Sequence, residues 1–240
     1  MVRVIIGTED NQLIPQKVLE YSIRKHTRSP VEVRAVKQSQ TRVGGTNFGF
    51  VRFLVPQLCG YEGRAIYLDA DQLVFTDIEE LFRSLDGWHS VALVQDPEGS
   101  FGDKQVVKDN QSSVMVLDCE KLTSWDPRTL FERVVPNRAE PGPGQIRYRE
   151  FMMLKWMDRA ELQPLDSRWN HFNIVRDDTK LVHFSHVRSQ PWKVVSHPLC
   201  ALWRRWLREA MRGRFVRRTE LLREVLKGHM HLSFLREVFF

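Results

Sequence analysis

The sequence predicts an α/β fold in which helices flank a mainly parallel central sheet. Short apolar, β-branched segments alternate with segments whose apolar residues recur at helical spacing, a pattern typical of such folds. Residues 65–68 are a continuous apolar run of the kind that is buried on both faces of a sheet, and residues 90–94, apolar after Ser90, predict another buried strand. With 42% hydrophobic residues in a chain of 240, there is enough apolar material for a substantial core, which argues against intrinsic disorder.

The individual elements follow from local pattern. Strands are predicted at residues 2–6, 31–36, 65–68, 90–94, 113–117 and 181–184. Helices are predicted around residues 18–26 and over 50–58, 76–85, 145–157, 199–211 and 219–227. Thr76 and Glu79 have the spacing of a capping box at the start of the third helix. Residues 38–45 and 97–110 are expected to be loops, the second long enough to act as a lid.

Charge is distributed unevenly along the chain. The net charge is +6, yet residues 1–192 hold 25 Lys/Arg against 26 Asp/Glu, whereas residues 193–240 hold 11 against 4. We therefore divide the chain into a domain at 1–192 and a basic, amphipathic helical extension at 193–240. The extension has an apolar face at Leu199, Leu202, Trp203, Trp206, Leu207, Ala210 and Met211. That face either packs on the domain or lies on an anionic membrane.

Composition also excludes several classes of protein. No apolar run approaches the ~20 residues of a membrane-spanning helix, and the first residues lack the regions of a signal peptide. Cys59, Cys119 and Cys200 are odd in number and far apart, so neither a disulfide framework nor a zinc site is indicated. No nucleic-acid-binding module is recognisable, and we expect no nucleic-acid partner. A cytoplasmic location is expected, with a peripheral position on the inner membrane face left open.

The most informative motif is a pair of carboxylates after a buried strand. Asp69 and Asp71, separated by Ala70, follow the apolar run at 65–68. Side chains at the carboxyl end of such a strand point into the crevice where α/β proteins bind ligands. Neighbouring carboxylates repel each other unless a cation or proton lies between them, and their oxygens suit Mg²⁺ or Mn²⁺. An isolated Asp-x-Asp is more often a solvated strand end, so the surrounding residues have to decide.

Those surroundings resemble glycosyltransferase family 8, which includes glycogenin and lipopolysaccharide galactosyltransferases. Five elements occur in the family's order across roughly residues 2–192: residues 4–11, the Arg52 segment ending at Pro56, residues 67–71 with 77–82, residues 165–170, and His183 with residues 190–192. A single such element is weak evidence, but five in order are much more specific.

The resemblance implies a GT-A fold, a retaining reaction, a nucleotide-sugar donor that is usually a UDP-sugar, and Mn²⁺ or Mg²⁺. It assigns the metal to Asp69, Asp71 and His183. It assigns the donor to Gly7, Thr8, Glu9, Asn11, Arg52, Asp69, Ala70 and Asp71. The 1–192 region is then the sugar-nucleotide-dependent glycosyltransferase domain. A metal would act as a Lewis acid on the leaving diphosphate, and Arg52 would pair with phosphate or with a motif carboxylate.

The sequence departs from the family where catalysis is expected. Gln111 begins a Gln-Ser-Ser segment in place of Asn-Ala-Gly, and an amide there still hydrogen-bonds a sugar hydroxyl. Glu150 is the one residue resembling the family's Asp-Gln-Asp stretch. Gln111 and Glu150 are therefore the candidate catalytic residues. Gln190 occupies the place of a phosphate-binding lysine, which Arg188 replaces in our interpretation.

Each assignment has a structural alternative. His183 is otherwise a hydrogen-bonded core histidine, and Arg52 an exposed helix charge. Gln111 otherwise begins a strand, and Glu150 is otherwise a solvated helical residue.

Three functions remain open from the sequence. The first is a metal-dependent, retaining glycosyltransferase whose acceptor is an unidentified saccharide, lipid or protein. The second, motivated by Arg149 and Gln190, is a catalytically degenerate protein that binds a nucleotide-sugar or serves as a scaffold. The third is a protein that binds an anionic surface through the arginines of the extension.

Overall fold

A computed structural model describes residues 1–37, 47–101, 104–105 and 109–239. The strands are β1 (Val2–Thr8), β2 (Val31–Lys37), β3 (Arg64–Asp69), β4 (Gln72–Val74), β5 (Val91–Val94), β6 (Ser100–Phe101), β7 (Lys104–Gln105), β8 (Gln111–Asp118), β9 (Val134–Val135), β10 (Ile146–Arg147), β11 (Leu162–Leu165), β12 (His171–Phe172) and β13 (Leu181–His183). The helices are α1 (Leu13–His26), α2 (Val55–Leu58), α3 (Ile78–Arg83), α4 (Pro127–Glu132), α5 (Tyr148–Met152), α6 (Cys200–Arg212), α7 (Arg218–Leu226) and α8 (Arg236–Phe239). Short 3₁₀ helices lie at Asp10–Gln12, Asn47–Leu54, Arg159–Glu161, Ser167–Asn170 and Leu232–Leu235.

The central sheet has six strands in the order β11-β5-β8-β3-β1-β2. Five of them run parallel, and β8 runs antiparallel to both of its neighbours, β3 and β5. Because β8 is reversed, its amino end lies at the edge where the parallel strands have their carboxyl ends. This mainly parallel sheet between helices confirms the predicted α/β fold class.

Alternation along the strands divides the core into two layers. In β3, Ile66 and Leu68 pack with α1 and α3 on one face of the sheet. Ala65 and Tyr67 face the opposite layer, which contains the aromatic residues of the 3₁₀ helix before α2. Successive side chains of a strand point to opposite faces, so a strand buried on both sides needs apolar residues at every position.

The chain passes from the central sheet directly into a second, smaller sheet. It has the order β12-β13-β4, with β4 antiparallel to β13. Only Ala70 and Asp71 separate β3 of the large sheet from β4 of the small one. The backbone N–H of Ala70 donates to the Gly7 carbonyl, and that of Phe184 donates to the Asp71 carbonyl, so the crossing is held from both sides.

The C-terminal extension packs on the domain. Trp203, Trp206, Leu207 and Ala210 of α6 are buried, in one apolar cluster with Ile14 and Val18 of α1. Two ion pairs also join α1 to the extension: Lys17 to Glu220 of α7 at 2.7 Å, and Lys25 to Glu209 of α6 at 2.5 Å. Of the two alternatives for this apolar face, packing on the body is the one observed. The division at residue 192 remains a prediction.

Several local predictions differ from the observed elements. The helix predicted at 50–58 begins as a 3₁₀ helix and becomes α-helical only at Val55. The residue that caps α3 is Asp77, whose carboxylate accepts from the Glu79 N–H at 2.9 Å, and not Thr76. The helix predicted over 145–157 is shortened to α5, because Leu154 adopts a left-handed backbone (φ 53°) that ends the helix.

Other elements were absent from the prediction. The pattern did not indicate β4, α4 or β11, which are three to six residues long and too short for periodicity to register. The predicted loop at 38–45 lies outside the described residues, as do parts of 97–110. Among the described helices, none has the length and apolar character needed to cross a bilayer.

Leu207→Ala tests whether the extension and the domain share one core. Leu207 is fully buried, and the truncation leaves a cavity beside α1, so we expect a loss of about 2–5 kcal/mol in the free energy of unfolding. Urea unfolding followed by circular dichroism and tryptophan fluorescence measures it, with one transition expected for both signals. Leu226→Ala is the matched control: Leu226 is 71% exposed, and its loss should stay within about 0.5 kcal/mol. Equal effects of the two variants would contradict a shared core.

Candidate metal centre and adjoining cavity

Three buried side chains meet where the two sheets join. Asp69 ends β3, Asp71 lies in the crossing to β4, and His183 ends β13. One ligand atom from each lies within 4.8 Å of the others, and all three residues are at most 6% exposed. The pairing of His183 with Gln72 in the small sheet sets the histidine beside the crossing. The sequence-predicted ligand set is therefore assembled in space.

Asp69 is held by two neighbours on the same face of the sheet. Arg52 donates to both of its carboxylate oxygens, at 2.9 and 3.1 Å, and the Tyr67 hydroxyl donates to Oδ1 at 2.6 Å. Burial raises the pKa of the Asp69 carboxyl, and the Arg52 guanidinium opposes that rise. Burial and the Asp69 charge also raise the pKa of Tyr67 well above its ordinary value, so its hydroxyl stays a donor. A buried carboxylate needs such partners to remain ionised.

Asp71 and His183 lie side by side, with His183 Nε2 3.2 Å from an oxygen of the Asp71 carboxylate. The Asn170 amide donates to Ser113 Oγ at 3.0 Å, so its Oδ1 is turned toward His183 and accepts from the Nδ1–H at 3.2 Å. A neutral ring protonated at Nδ1 presents a lone pair at Nε2. That Nε2 lies 3.2 Å from Asp71 Oδ1, an oxygen that accepts no hydrogen bond from any described residue. When the ring is neutral, this nitrogen and this oxygen are both acceptors, an arrangement that suits a cation bound by the two atoms.

A cavity of about 350 Å³ opens beside the three ligands. Arg52, Asp69, Asp71, Gln111 and His183 line it, so five of the sequence-predicted site residues share one space. Its other lining residues are Asn110, Ser112, Ser113, Asn137, Tyr148, Arg149, Met152, Met153, Phe172, Ser185 and Val187. Gln111 reaches it because the reversed β8 begins at this edge of the sheet.

The remaining predicted donor-binding residues lie at the end of β1. Gly7 is opposite Asp69 in the register of the two strands, which brings Thr8, Glu9 and Asn11 to the same edge. Thr8 is buried, and Glu9 and Asn11 are partly exposed. Burial raises the pKa of Glu9, and a hydrogen bond with Asn11 opposes the rise. These residues and Ala70 border the metal cluster without lining the cavity, and their contact with a donor remains a prediction.

Glu150 lies apart from the cavity. It is on α5 between Arg149, which lines the cavity, and Phe151, which is buried in the core. Arg149 is thus the cavity-facing residue of the stretch that the sequence matched to an acidic segment. The catalytic role of Glu150 stays an untested prediction.

Sequence reasoning missed a lysine near the ligands. Lys193 is half-buried and donates to the Val187 carbonyl at 2.9 Å. Burial lowers its pKa, and the charges of Asp71 and Glu9 oppose that shift, so its ammonium group lies within electrostatic range of both. Gln190, in the place of the expected lysine, donates instead to Asp71 Oδ2 at 2.8 Å. Arg188, to which the sequence analysis assigned the role of the missing lysine, is exposed. Lys193, which directly follows the Gln-Pro-Trp segment, is the alternative candidate for that positive charge.

Solved structures of glycosyltransferases share this fold. The bifunctional glycosyltransferase WbbM superposes with a TM-score of 0.63 at 14% identity over 86% of this chain. The galactosyltransferase LgtC, bound to donor and acceptor sugar analogues, gives 0.59 at 11% over 86%. GlyE of Streptococcus pneumoniae gives 0.63 at 14% over 86%. The chain spans 49% of WbbM, 95% of LgtC and 60% of GlyE. At these identities the likeness establishes the fold, which is the predicted GT-A type.

Comparison of sequences gives one distant relative and does not assign the chain to a family. The chain is 26% identical over 212 residues to Protein CDI of Arabidopsis thaliana, and the match covers 79% of each chain. No family model matches the sequence.

Gly7→Ala tests the contact between the ends of β1 and β3. A Cβ at Gly7 would lie 2.3 Å from the Tyr67 hydroxyl, which is buried and bonded to Asp69. We expect a loss of about 1–3 kcal/mol in the free energy of unfolding, as for other overpacked sites. Chemical denaturation measures it. Gly87→Ala is the control, because nothing lies within 4 Å of its added Cβ, and its stability should be unchanged or slightly raised. A Gly7→Ala variant as stable as the control would refute the close contact.

Proposed function

We propose that this protein is a metal-dependent glycosyltransferase that moves a sugar from a nucleotide-sugar donor, in our interpretation a UDP-sugar, to an acceptor with retention of anomeric configuration. The observation that carries the proposal is the buried cluster of Asp69, Asp71 and His183, whose ligand atoms lie within 4.8 Å of one another beside a cavity at the sheet edge of a GT-A fold. Donor, acceptor and stereochemistry are inferred from chemistry and from the family resemblance.

The residues fit a divalent metal. Asp69, Asp71 and His183 provide oxygen and imidazole ligands, a set suited to Mn²⁺ and compatible with Mg²⁺. Asn170 fixes the histidine tautomer through Nδ1, as the neighbours of metal-binding histidines commonly do. A bound cation would supply Lewis-acid stabilisation of a departing diphosphate.

Cations of the chain complement that role. Arg52 donates Nη1–H to Ser112 Oγ at 2.5 Å and Nη2–H to Asp69, which holds its planar guanidinium at the cavity wall. A fixed guanidinium suits phosphate oxygens and costs little reorganisation during the reaction. Lys193 adds a second positive charge on the side of Asp71 and Glu9. Together they provide the positive surroundings that a nucleoside diphosphate needs.

The acid groups of the cavity support a front-face path for the retaining reaction. Asp69 and Asp71 are the sole carboxylates among its described lining residues, and both belong to the metal cluster. A double displacement requires a further carboxylate as nucleophile. We therefore propose that the acceptor attacks on the face that the diphosphate leaves, and that a leaving-group phosphate oxygen takes the acceptor proton. Gln111 is placed to hydrogen-bond a sugar hydroxyl.

Known proteins of this fold support the choice of reaction. WbbM, LgtC and GlyE are glycosyltransferases, and LgtC has been seen with donor and acceptor sugar analogues. Since one fold hosts many functions, the argument for this chain rests on its own cluster of ligands.

Asp71→Asn tests the metal centre. Removing the negative charge leaves the cation short of one ionised ligand, so we expect Mn²⁺ affinity to fall by more than the about 10–100-fold that follows loss of an outer-shell partner, and Mn²⁺-dependent binding of UDP to be lost. Isothermal titration calorimetry measures both. Asp177→Asn, a change of the same kind at an exposed carboxylate, should bind like the unmodified protein.

The same proteins are then assayed for turnover. UDP-, GDP- and other sugar nucleotides are screened for Mn²⁺-dependent hydrolysis or transfer, and NMR of the product gives its anomeric configuration. Turnover that survives in Asp71→Asn would refute the metal assignment. Metal-dependent binding of UDP with no turnover of any donor would favour the degenerate binding protein instead.

Lys193→Ala tests the second cation. Loss of a charge-assisted contact should weaken UDP binding by about tenfold in the presence of saturating Mn²⁺. Affinity for Mn²⁺ alone should not fall, because the removed charge repels the metal. Arg188→Ala is the control, an exposed cation nearby in the chain that should leave both affinities unchanged. If Arg188→Ala weakened UDP binding and Lys193→Ala did not, the original choice of Arg188 would be correct.

A further inference from the structure

A second cavity lies in the C-terminal extension, away from the metal centre. Its volume is about 960 Å³, and it is formed between the end of α6, the turn into α7, the start of α7 and the start of α8. Its lining contains one glutamate, Glu237, and two apolar residues, Met211 and Val216. The other lining residues are six arginines: Arg208, Arg212, Arg214, Arg217, Arg218 and Arg236. None of these residues lines the cavity at the metal centre. The larger cavity is thus a strongly basic concavity with a small apolar floor.

The one carboxylate in the lining of this cavity, that of Glu237, is bonded to two arginines. Glu237 is buried and accepts from Arg204 Nη1 at 3.0 Å and from Arg208 Nε and Nη2 at 2.5 and 2.9 Å. Burial alone would raise the pKa of Glu237, but the hydrogen bonds from Arg208 and Arg204 lower it below its ordinary value. Glu237 therefore stays ionised and ties α8 to α6, which fixes one wall of the cavity.

The other glutamates of the extension also have partners. Glu209 pairs with Lys25, Glu224 with Lys227 and His229, and Glu220 with Lys17 and, at 3.0 Å, with the backbone N–H of Arg217. Within the part of the chain that the structure describes, five cavity arginines have no ion-pair partner, namely Arg212, Arg214, Arg217, Arg218 and Arg236. Like charges gathered in this way repel one another and favour binding of an anion.

The backbone also holds one arginine in an unusual conformation. Arg214, in the turn between α6 and α7, has φ of 63°, a left-handed value that costs a non-glycine residue free energy. The Phe215 and Val216 N–H groups both donate to the Ala210 carbonyl, and this closes the end of α6 around that turn. The turn thus presents Arg214 at the cavity between the two helices.

We propose that this cavity binds a compact anion that carries several phosphate groups. Guanidinium groups pair with phosphate oxygens in a bidentate manner, and several of them converge here on one space. The volume lies near the upper end of the range for small-molecule sites, and Met211 and Val216 provide contact for an uncharged part of the ligand.

The concave shape and the packing of α6 favour such a ligand over a membrane. A membrane-bound amphipathic helix inserts its apolar face into the lipid. Here the apolar face of α6 is buried in one cluster with residues of α1 and α7, and Trp203 and Leu207 are at most 1% exposed. The six arginines are exposed, and together they line one open concavity of about 960 Å³.

Titration calorimetry with inorganic tripolyphosphate tests the proposal. The full chain is titrated in EDTA, so that a metal at Asp69, Asp71 and His183 makes no contribution. We expect saturable binding that weakens by tenfold or more in the triple variant Arg214→Gln, Arg217→Gln, Arg236→Gln. The control triple is Arg128→Gln, Arg205→Gln, Arg223→Gln, which removes the same charge from exposed arginines outside the cavity and should retain the affinity.

Two further experiments distinguish this site from the metal centre and from a membrane-binding surface. Asp71→Asn should bind tripolyphosphate normally, so this outcome does not depend on the proposed transferase activity. Loss of binding in Asp71→Asn, equal loss in both triples, or no binding at all would overturn the proposal. Co-sedimentation with phosphatidylcholine vesicles, with and without phosphatidylglycerol, tests the membrane alternative. Vesicle binding that depends on the arginines, without binding of tripolyphosphate, would also overturn the proposal. Circular dichroism confirms that both triples are folded.

Discussion

The buried ion pair between Arg52 and Asp69 is the interaction on which the rest of the site depends. Two carboxylates lie close together in a region from which water is largely excluded, and each would be costly to bury alone. Arg52 neutralises the first from the aromatic layer of the core, and the Tyr67 hydroxyl completes its hydrogen bonds. Asp71 is then left as the carboxylate with an unsatisfied oxygen. Arg52 thus compensates the charge of Asp69 from within the chain, whereas Asp71 is bonded at Oδ2 by the neutral amide of Gln190.

Topology explains why such distant residues meet. The reversal of β8 brings the start of that strand to the edge where its parallel neighbours end, which places Ser112 beside Arg52 and Ser113 beside Asn170. The immediate passage from β3 to β4 then sets Asp71 against the strand that ends in His183. The ligands, the hydrogen-bond partner of the histidine and the guanidinium thus come from four different segments. Strand and 3₁₀-helix termini position them, which gives a site on rigid elements.

Local pattern predicted the fold class and the carboxylate pair Asp69 and Asp71, because both depend on neighbouring residues, and the family resemblance added His183 as the third ligand. A buried strand followed by Asp-x-Asp, and a histidine at a strand end, are readable without any tertiary information. Asn170 and Lys193 were missed because their roles arise only from contacts across the fold, such as the bond from Asn170 to Ser113, 57 residues away. The end of α5 was misplaced for a similar reason: Leu154 adopts a left-handed backbone that its residue type does not favour.

The packing of α6 on α1 has a consequence for synthesis of the chain. The outer face of α1, with Ile14 and Val18, is covered by residues that are made about 190 positions later. At about 5–20 residues per second, that interval is roughly ten to forty seconds on the ribosome. During it, α1 can form and dock on the sheet through Leu19 and Ile23, while the part of its apolar surface that α6 covers stays open to water. The last helices to be made therefore remove from water an apolar surface that the earlier part of the chain leaves uncovered.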